Sequence, residues 1–439
     1  MKKPELPPQI DQTKSYENII DNLVEIKKFH EFFKIEDTEY PYWEEWKYKS
    51  KQWKISSNDV WSCAKSARRS IKSIYFSHIQ GFKFSLNIPS VIQKLLHELD
   101  MNLGGNLQNE SLIPNQEKDK YLVSSIMEEA IASSQIEGAV TTRKVAKEML
   151  EKNHQPKNKS EQMILNNYVS MKWIVENKQV KMTKSLILEI HKSITKNTLQ
   201  KKEDEGRFRI NDEVRIMDET NEVFYTPPSH IYLDDLIDDF CSFANDEKED
   251  HIFIHPIVKG IILHFLIGYI HPFVDGNGRT ARAVFYWYLI KKGYWLIEYM
   301  SVSRIILKAK IQYAKAYLYT EYDDNDLTYF VLYNIKAVKT SLDDLKLYIE
   351  KKKDERKQLL SLLKNTDFND RQIVLIQIIL QDRNEYFSVK QVEKKFNVSN
   401  QTARNDLNDF ISKGILTTNI TGKKANFFAA ENFEKKLLK

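Results

Sequence analysis

The stretch HPFVDGNGRTAR, residues 271–282, follows an apolar segment and opens a predicted helix. Its Gly276-Asn277-Gly278 core permits a tight turn whose backbone N–H groups converge on an anion, and the following helix adds the positive end of its dipole. The chain has only 12 glycines in 439 residues, whereas an average usage of ~7% would give about 31. Two glycines flanking one residue therefore predict a special backbone position, which we interpret as a phosphate-binding turn between two helices.

The charged residues around this turn suit nucleotide chemistry. Arg279 and Arg282 are three residues apart, so they share a helix face and can reach the outer phosphates of a nucleotide. Asp275 precedes the turn and can hold a hard divalent cation such as Mg²⁺. His271 titrates near neutral pH, which suits a general base for a hydroxyl nucleophile.

The same residues resemble the signature of the Fic family, HxFx(D/E)GNGRxxR, and match it at every specified position. The resemblance extends over roughly residues 95–320. It implies a protein adenylyltransferase that transfers AMP from ATP to a Ser, Thr or Tyr hydroxyl of a target protein, with Mg²⁺ as cofactor. By the resemblance His271 is the catalytic base and Asp275 binds Mg²⁺. The ATP phosphates are held by the residues Gly276, Asn277, Gly278, Arg279 and Arg282, the last of which grips the γ-phosphate.

A second motif lies upstream, in a helix predicted over 119–152. Ser133, Glu137 and Gly138 match the inhibitory pattern (S/T)xxxE(G/N) of the Fic family. By this resemblance Glu137 pairs with Arg282 and withdraws it from the γ-phosphate, because an arginine and a carboxylate form a strong and often bidentate pair. We expect an autoinhibited enzyme.

The pattern of the whole chain predicts a mainly α protein. We expect a Fic-type helical bundle with a β-hairpin flap, linked by a long helix to a C-terminal winged helix-turn-helix domain. The predicted boundaries are an N-terminal accessory region at 1–95, a Fic domain at 96–335 containing the flap at 206–228, a helical linker at 336–366 and the winged helix-turn-helix domain at 367–439.

The C-terminal pattern of three short helices and a two-stranded ribbon resembles winged helix-turn-helix domains, and it suggests DNA as a partner. Residues 371–439 hold 12 Lys and Arg against 7 Asp and Glu, and this region carries the basic excess of the chain. The recognition helix would be 400–413. Side chains able to reach bases or phosphates are Gln401, Thr402, Arg404 and Asn405 in the helix, with Lys423 and Lys424 at the tip of the wing. Such domains also bind proteins or dimerise, so both interpretations stay open at this point.

Composition narrows the cellular setting. Two cysteines are too few for a disulfide framework, the N-terminus has no apolar signal segment, and no apolar run is long enough for a membrane span. We therefore expect a cytoplasmic protein without a membrane partner, and the target protein, the chain itself and DNA are its candidate partners. A homodimer is left open.

Two other functions fit the same residues. In one, the protein is a deAMPylase, in which Glu137 orients water for removal of AMP. In the other, it is a DNA-binding transcriptional regulator whose Fic core senses a nucleotide.

Overall fold

Helices dominate the described part of the chain, as the sequence predicted. The computed structural model describes residues 2–9, 26–53, 55–68, 72–77, 79, 82–104, 118–217, 222–246, 253–363, 368–381, 385–421 and 424–437. These form two compact units. The first comprises Met1–Leu107 and Leu122–Asp343, and the second comprises Gln108–Tyr121 and Asp344–Lys439.

The centre of the first unit is a pair of buried helices joined by the turn quoted above, α10 (Pro256–Ile270) and α11 (Asn277–Lys291). Helix α10 is apolar all round and its side chains are almost completely buried, which is typical of a core helix. The other helices that lie wholly or partly in the first unit are α1 (Ile26–Thr38), α2 (Trp43–Lys49), α3 (Ser57–Ala67), α4 (Ser90–Leu103), α5 (Lys118–Ile136), α6 (Arg143–Glu151), α7 (Lys159–Glu176), α8 (Lys184–Thr195), α9 (Leu233–Ala244), α12 (Val302–Lys308), α13 (Lys310–Tyr322) and α14 (Thr328–Leu363). Helices α7 and α8 pack directly on α11.

The N-terminal residues belong to the same compact unit as this core. Strands β1 (Lys72–Tyr75) and β2 (Lys83–Leu86) pair antiparallel. Arg68 is buried and donates hydrogen bonds to Glu36 and to the Tyr329 hydroxyl, so it fastens α1 to the start of α14. The described residues of the region 1–95, which was predicted as an N-terminal accessory region, therefore belong to the same compact unit as α10 and α11 and contribute buried side chains to it.

The helix predicted over 119–152 is two helices, and the prediction of one continuous helix is wrong. Helix α5 ends at Ile136, and Gly138 follows with φ +90°, a left-handed conformation that favours glycine. Helix α6 then begins anew at Arg143, where the Thr142 hydroxyl caps the backbone N–H of Val145. The break leaves Glu137 at the very end of α5.

The predicted hairpin is present and short. Strand β3 (Ile216–Met217) pairs antiparallel with β4 (Val223–Tyr225). Its turn, 218–221, lies outside the described residues. The strand predicted to begin at Phe208 is instead irregular backbone up to β3, because the side chain of Arg209 bonds backbone carbonyls of this segment, as described below.

Helix α14 runs without interruption from Thr328 to Leu363, so the described part of the linker predicted at 336–366 continues a helix that starts within the first unit. The second unit then contains α15 (Asp370–Gln381), α16 (Val389–Phe396), α17 (Asn400–Ser412) and α18 (Phe433–Lys436). Its sheet has the order β5 (Tyr386–Ser388), β7 (Lys424–Ala429), β6 (Leu416–Thr421). Strand β5 was not predicted.

Among the described helices, none combines the length and apolar character needed to cross a bilayer.

Candidate active site

The turn between α10 and α11 is held closed by the side chain of Asn277. Its Oδ1 accepts a hydrogen bond from the Phe273 N–H at 3.0 Å, and its Nδ2 donates to the Phe273 carbonyl at 2.9 Å. The side chain is buried. Asn277 was predicted to hold phosphate; in the structure one N–H and one oxygen lone pair of its side-chain amide are used within the loop. Its backbone N–H remains the group that can face an anion.

Close neighbours leave little space for a side chain at the two glycines of the turn. Gly276 has φ +87°, and a Cβ at this position would lie 2.7 Å from Thr195 Cγ2. A Cβ on Gly278 would lie 2.1 Å from Oε1 of Glu137. The Glu137 carboxylate therefore lies directly against the first turn of α11, where the sequence predicted a phosphate.

His271 caps the C-terminus of α10 in the left-handed conformation, with φ +49° and ψ +58°. Its Nδ1 lies 3.1 Å from the Gly268 carbonyl. Because a carbonyl can only accept, Nδ1 carries the proton and Nε2 keeps its lone pair. Burial lowers the pKa of His271, against the opposing effect of the Gly268 hydrogen bond. The imidazole is thus neutral at pH 7 and can accept a proton at Nε2, as a general base requires.

Arg282 is buried and held by the inhibitory motif. Its Nε donates to Ser133 Oγ at 2.8 Å, and its Nη2 donates to the Ser133 carbonyl and to Glu137 Oε1, both at 2.9 Å. Burial lowers the pKa of the guanidinium, but Glu137, Tyr313 and Glu129 together outweigh this, so the pKa of Arg282 lies above its ordinary value. The structure brings Ser133, Glu137 and Arg282 together as the sequence predicted.

Arg279 is a buried cation with spare hydrogen-bonding capacity. Its Nη1 donates to the Ile194 carbonyl at 3.0 Å, and its Nη2 lies 3.7 Å from Asp275 Oδ1, too far for a hydrogen bond. Within the described part of the chain, Nε and Nη2 have no hydrogen-bond partner. Buried donors of this kind are costly when unpaired, so the side chain fits a site that receives an anion.

Asp275 lies beside this cradle with its side chain half exposed, and its Oδ1 accepts a hydrogen bond from the Gly276 N–H. Among the described residues, no group of three or more His, Cys, Asp or Glu side chains is placed to hold a metal ion. A single carboxylate beside a phosphate cradle suits Mg²⁺, which usually takes one or two carboxylates together with phosphate oxygens and water. Asp275 therefore fits the predicted cation.

The structure adds a residue that the sequence did not single out, His191 in α8. Its Nε2 donates to the Asp275 carbonyl at 2.8 Å, and its Nδ1 accepts from the Gly206 N–H at 3.0 Å. The ring stacks on Phe273 with centroids 3.6 Å apart and an interplanar angle of 2°. Burial lowers the pKa of His191 to about 4. A neutral imidazole thus ties the turn to the start of the flap, and its position on the buried face of an amphipathic helix gave no signal of this.

Helix α17 of the second unit presents polar side chains to solvent. Gln401, Arg404 and Asn405 are exposed and Thr402 is partly exposed. Gln401 Nε2 donates to Asn405 Oδ1 at 3.0 Å, one helical turn away. Lys423 lies outside the described residues, and Lys424 is the first residue of β7.

Comparisons with known proteins agree with this architecture. The model of the Fic/DOC family matches residues 181–289, and that of the DeoR-like helix-turn-helix domain matches residues 371–426. The chain therefore contains a Fic/DOC-family domain followed by a DeoR-like helix-turn-helix domain, and the resemblance inferred from the sequence is confirmed.

Individual relatives are similar over limited segments. Protein adenylyltransferase fic-1 of Caenorhabditis elegans is 36% identical over 70 residues, which cover 16% of this chain and 13% of that protein. Protein adenylyltransferase Fic of Drosophila willistoni is 27% identical over 154 residues, covering 35% of this chain and 28% of that one. The matches thus span less than a third of these relatives. A Fic family protein from Desulfovibrio desulfuricans G20 superposes with a TM-score of 0.49 at 17% identity, over 77% of this chain and 95% of that chain.

Proposed function

We propose that the protein is a protein adenylyltransferase that transfers AMP from ATP to a Ser, Thr or Tyr hydroxyl and is autoinhibited by Glu137. The observation that carries the proposal is the placement of His271 and the arginines about one turn. Nε2 of His271 is available as a base, and Arg279 presents unpaired buried donors beside it in the motif. The similar proteins from C. elegans and D. willistoni are themselves named protein adenylyltransferases.

In the proposed reaction, the target hydroxyl oxygen attacks the α-phosphorus of ATP and its proton passes to His271 Nε2. The new bond joins that oxygen to the α-phosphorus, and the bond from the α-phosphorus to the oxygen bridging it to the β-phosphate breaks, which releases pyrophosphate. The backbone N–H groups of the turn, Arg279 and Arg282 would hold the phosphates in line, since such reactions depend mainly on positioning and charge neutralisation. Mg²⁺ bound at Asp275 would neutralise phosphate charge.

Autoinhibition follows from the contacts of Arg282. In the structure its Nε and Nη2 bond Ser133 and Glu137, so those donors cannot grip a γ-phosphate at the same time. The Glu137 carboxylate also lies against Gly278, where its negative charge opposes a phosphate. ATP would then bind without the alignment that attack on its α-phosphorus requires.

The test is transfer of label from ATP carrying a labelled α-phosphate, with the full chain and a cell lysate as acceptors. We expect Glu137→Gly to label protein, including itself, far more than the wild type does. Adding His271→Ala should abolish the labelling, whereas His154→Ala, which changes an exposed histidine, should leave it intact. Equal labelling by wild type and Glu137→Gly would contradict inhibition by Glu137. Transfer by the form that also carries His271→Ala would contradict the role of His271 as the base.

We also propose that the C-terminal domain binds DNA. The supporting observation is the exposed polar face of α17, with Gln401, Arg404 and Asn405 free of the hydrophobic core in a helix-turn-helix domain. The base edges of the major groove are recognised by amide and guanidinium side chains of this kind.

A further inference from the structure

Arg209 lies at the base of the flap, and its side chain is almost completely buried. Its Nε donates to the His271 carbonyl at 3.0 Å, and its backbone N–H donates to the adjacent Pro272 carbonyl at 2.9 Å. The residue therefore bonds two consecutive carbonyls at the start of the motif. Neither bond uses Nε2 of His271, the atom that accepts a proton in the proposed reaction.

The remaining donors of the same guanidinium close the flap. Nη1 donates to the Asn211 carbonyl at 2.9 Å and to Asp212 Oδ1 at 2.8 Å. Nη2 donates to the carbonyl of Pro228, at the opposite end of the flap segment. One side chain thus joins both ends of the hairpin to His271.

Asp212 strengthens this junction from the other side. Besides Arg209, its carboxylate accepts hydrogen bonds from Ser229 Oγ at 2.7 Å and from the His230 N–H at 2.6 Å. These bonds hold the pKa of Asp212 well below its usual range. The carboxylate is therefore charged at neutral pH, and it fixes the outgoing chain of the flap to the incoming one.

The bond to the His271 carbonyl matters because His271 has a left-handed backbone, a conformation that residues other than glycine seldom adopt without support. Its imidazole is held by the Gly268 carbonyl and its own carbonyl by Arg209. The two bonds together set the direction of Nε2. Loss of the Arg209 bond would let the peptide after His271 rotate and the imidazole turn with it.

We infer that Arg209 is a positioning residue that keeps His271 Nε2 and the flap in one fixed relation. The inference rests on the proposed function, in which Nε2 takes the proton of the target hydroxyl. In the structure, each guanidinium nitrogen of Arg209 donates to a group of the chain itself. Its effect is on alignment, so it should appear in the rate of transfer at saturating ATP rather than in nucleotide binding.

The test compares two arginine variants in the full chain carrying Glu137→Gly. Arg209→Lys keeps the positive charge but loses the planar set of N–H donors that the guanidinium provides. Arg215→Lys is the matched control, because Arg215 is exposed in the same flap and donates to the carbonyls of Asp212 and Val214 within it. Three quantities are measured: AMP transfer from α-labelled ATP, the dissociation constant of α,β-methylene-ATP, and hydrogen exchange in peptides covering 208–217 and 268–276.

For Arg209→Lys we expect transfer at saturating ATP to fall about ten-fold or more, since small misalignments are costly in such reactions. Binding of α,β-methylene-ATP should change by less than about two-fold, which separates alignment from ground-state binding. Exchange should accelerate in both peptides. Arg215→Lys should match its parent in transfer, in nucleotide binding and in the 268–276 peptide.

The inference is overturned if Arg209→Lys transfers AMP as fast as its parent, or if it loses nucleotide binding in proportion to its rate. Unchanged exchange in the 268–276 peptide overturns it as well. A Glu137→Gly parent that transfers no AMP instead contradicts the proposed function, and the exchange measurement then decides the role of Arg209 alone.

Discussion

Glu137 Oε1 lies 2.9 Å from Nη2 of Arg282, and the Nε of the same guanidinium lies 2.8 Å from Ser133 Oγ. Arg282, which was predicted to bind the γ-phosphate, thus donates hydrogen bonds to the carboxylate of Glu137 and the hydroxyl of Ser133. Ser133 lies in the last turn of α5, and Glu137 follows directly after that helix, which ends at Ile136. We expect that displacing or altering this helix end frees Arg282 to bind a nucleotide.

Glu137→Gln tests whether charge is the inhibitory element. The amide keeps the size of the side chain and one acceptor, but a neutral hydrogen bond is weaker than a charge-assisted one by about 1 kcal/mol, or roughly five-fold in population. We expect AMP transfer between that of wild type and that of Glu137→Gly, measured with α-labelled ATP. Glu128→Gln, which alters the pair of Glu128 with the exposed Arg143, should behave as wild type. Transfer by Glu137→Gln at the wild-type level would mean that shape rather than charge inhibits.

The pH dependence of transfer should report the buried state of His271. Its pKa is lowered by burial, so the neutral, proton-accepting form persists below the ordinary histidine value of about 6.5. In Glu137→Gly, transfer at saturating ATP should hold its plateau through pH 6.5 and fall only in more acidic solution. Binding of α,β-methylene-ATP over the same range is the control. A midpoint at or above 6.5, with binding unchanged, would contradict the assignment.

Much of the site could be predicted because the sequence places His271, Asp275, Arg279 and Arg282 within twelve residues around one turn. The pairing of Glu137 with Arg282 was also predicted, but only through resemblance to a family pattern, since 145 residues separate them. The spacing of residues within a short motif does not indicate a contact between residues so far apart in the sequence.

The features of the site that the sequence did not predict are hydrogen bonds from side chains to backbone groups. His191 and Arg209 bond carbonyls of the motif, and any residue type supplies a carbonyl, so no pattern of side chains indicates these bonds. The hydrogen bonds by which the Asn277 amide closes the loop on the backbone of Phe273 were missed for the same reason. The break after Ile136 was missed because helical periodicity resumes in α6. Mg²⁺, a homodimer and a cytoplasmic location stay predictions.

Removal of the divalent cation should stop transfer, and Asp275 should be the residue through which this acts. We expect Asp275→Asn in the Glu137→Gly protein to need a much higher Mg²⁺ concentration for half-maximal transfer, because an amide oxygen is a weaker ligand for this hard cation than a carboxylate. Transfer is followed in a Mg²⁺ titration after chelation. Asp234→Asn, a change at an exposed carboxylate of α9, is the control. An unchanged Mg²⁺ requirement in Asp275→Asn would exclude this carboxylate as a ligand.

DNA binding by the second unit should depend on Arg404, the exposed cation on the outer face of α17. If Arg404 contacts a phosphate, Arg404→Ala should weaken binding to all sequences alike and reduce the salt slope by about 1. If it reads a guanine, the loss should instead be about 1–3 kcal/mol and confined to sequences that carry that base. Titration of the full chain against labelled DNA at several salt concentrations separates these cases. Lys413→Ala removes one positive charge from the far end of the same helix, where Lys413 pairs with Asp409, and should change neither affinity nor slope. Because phosphate contacts impose a steep salt dependence and bind most tightly at low salt, an absence of binding even at low salt would contradict the proposal that the second unit binds DNA.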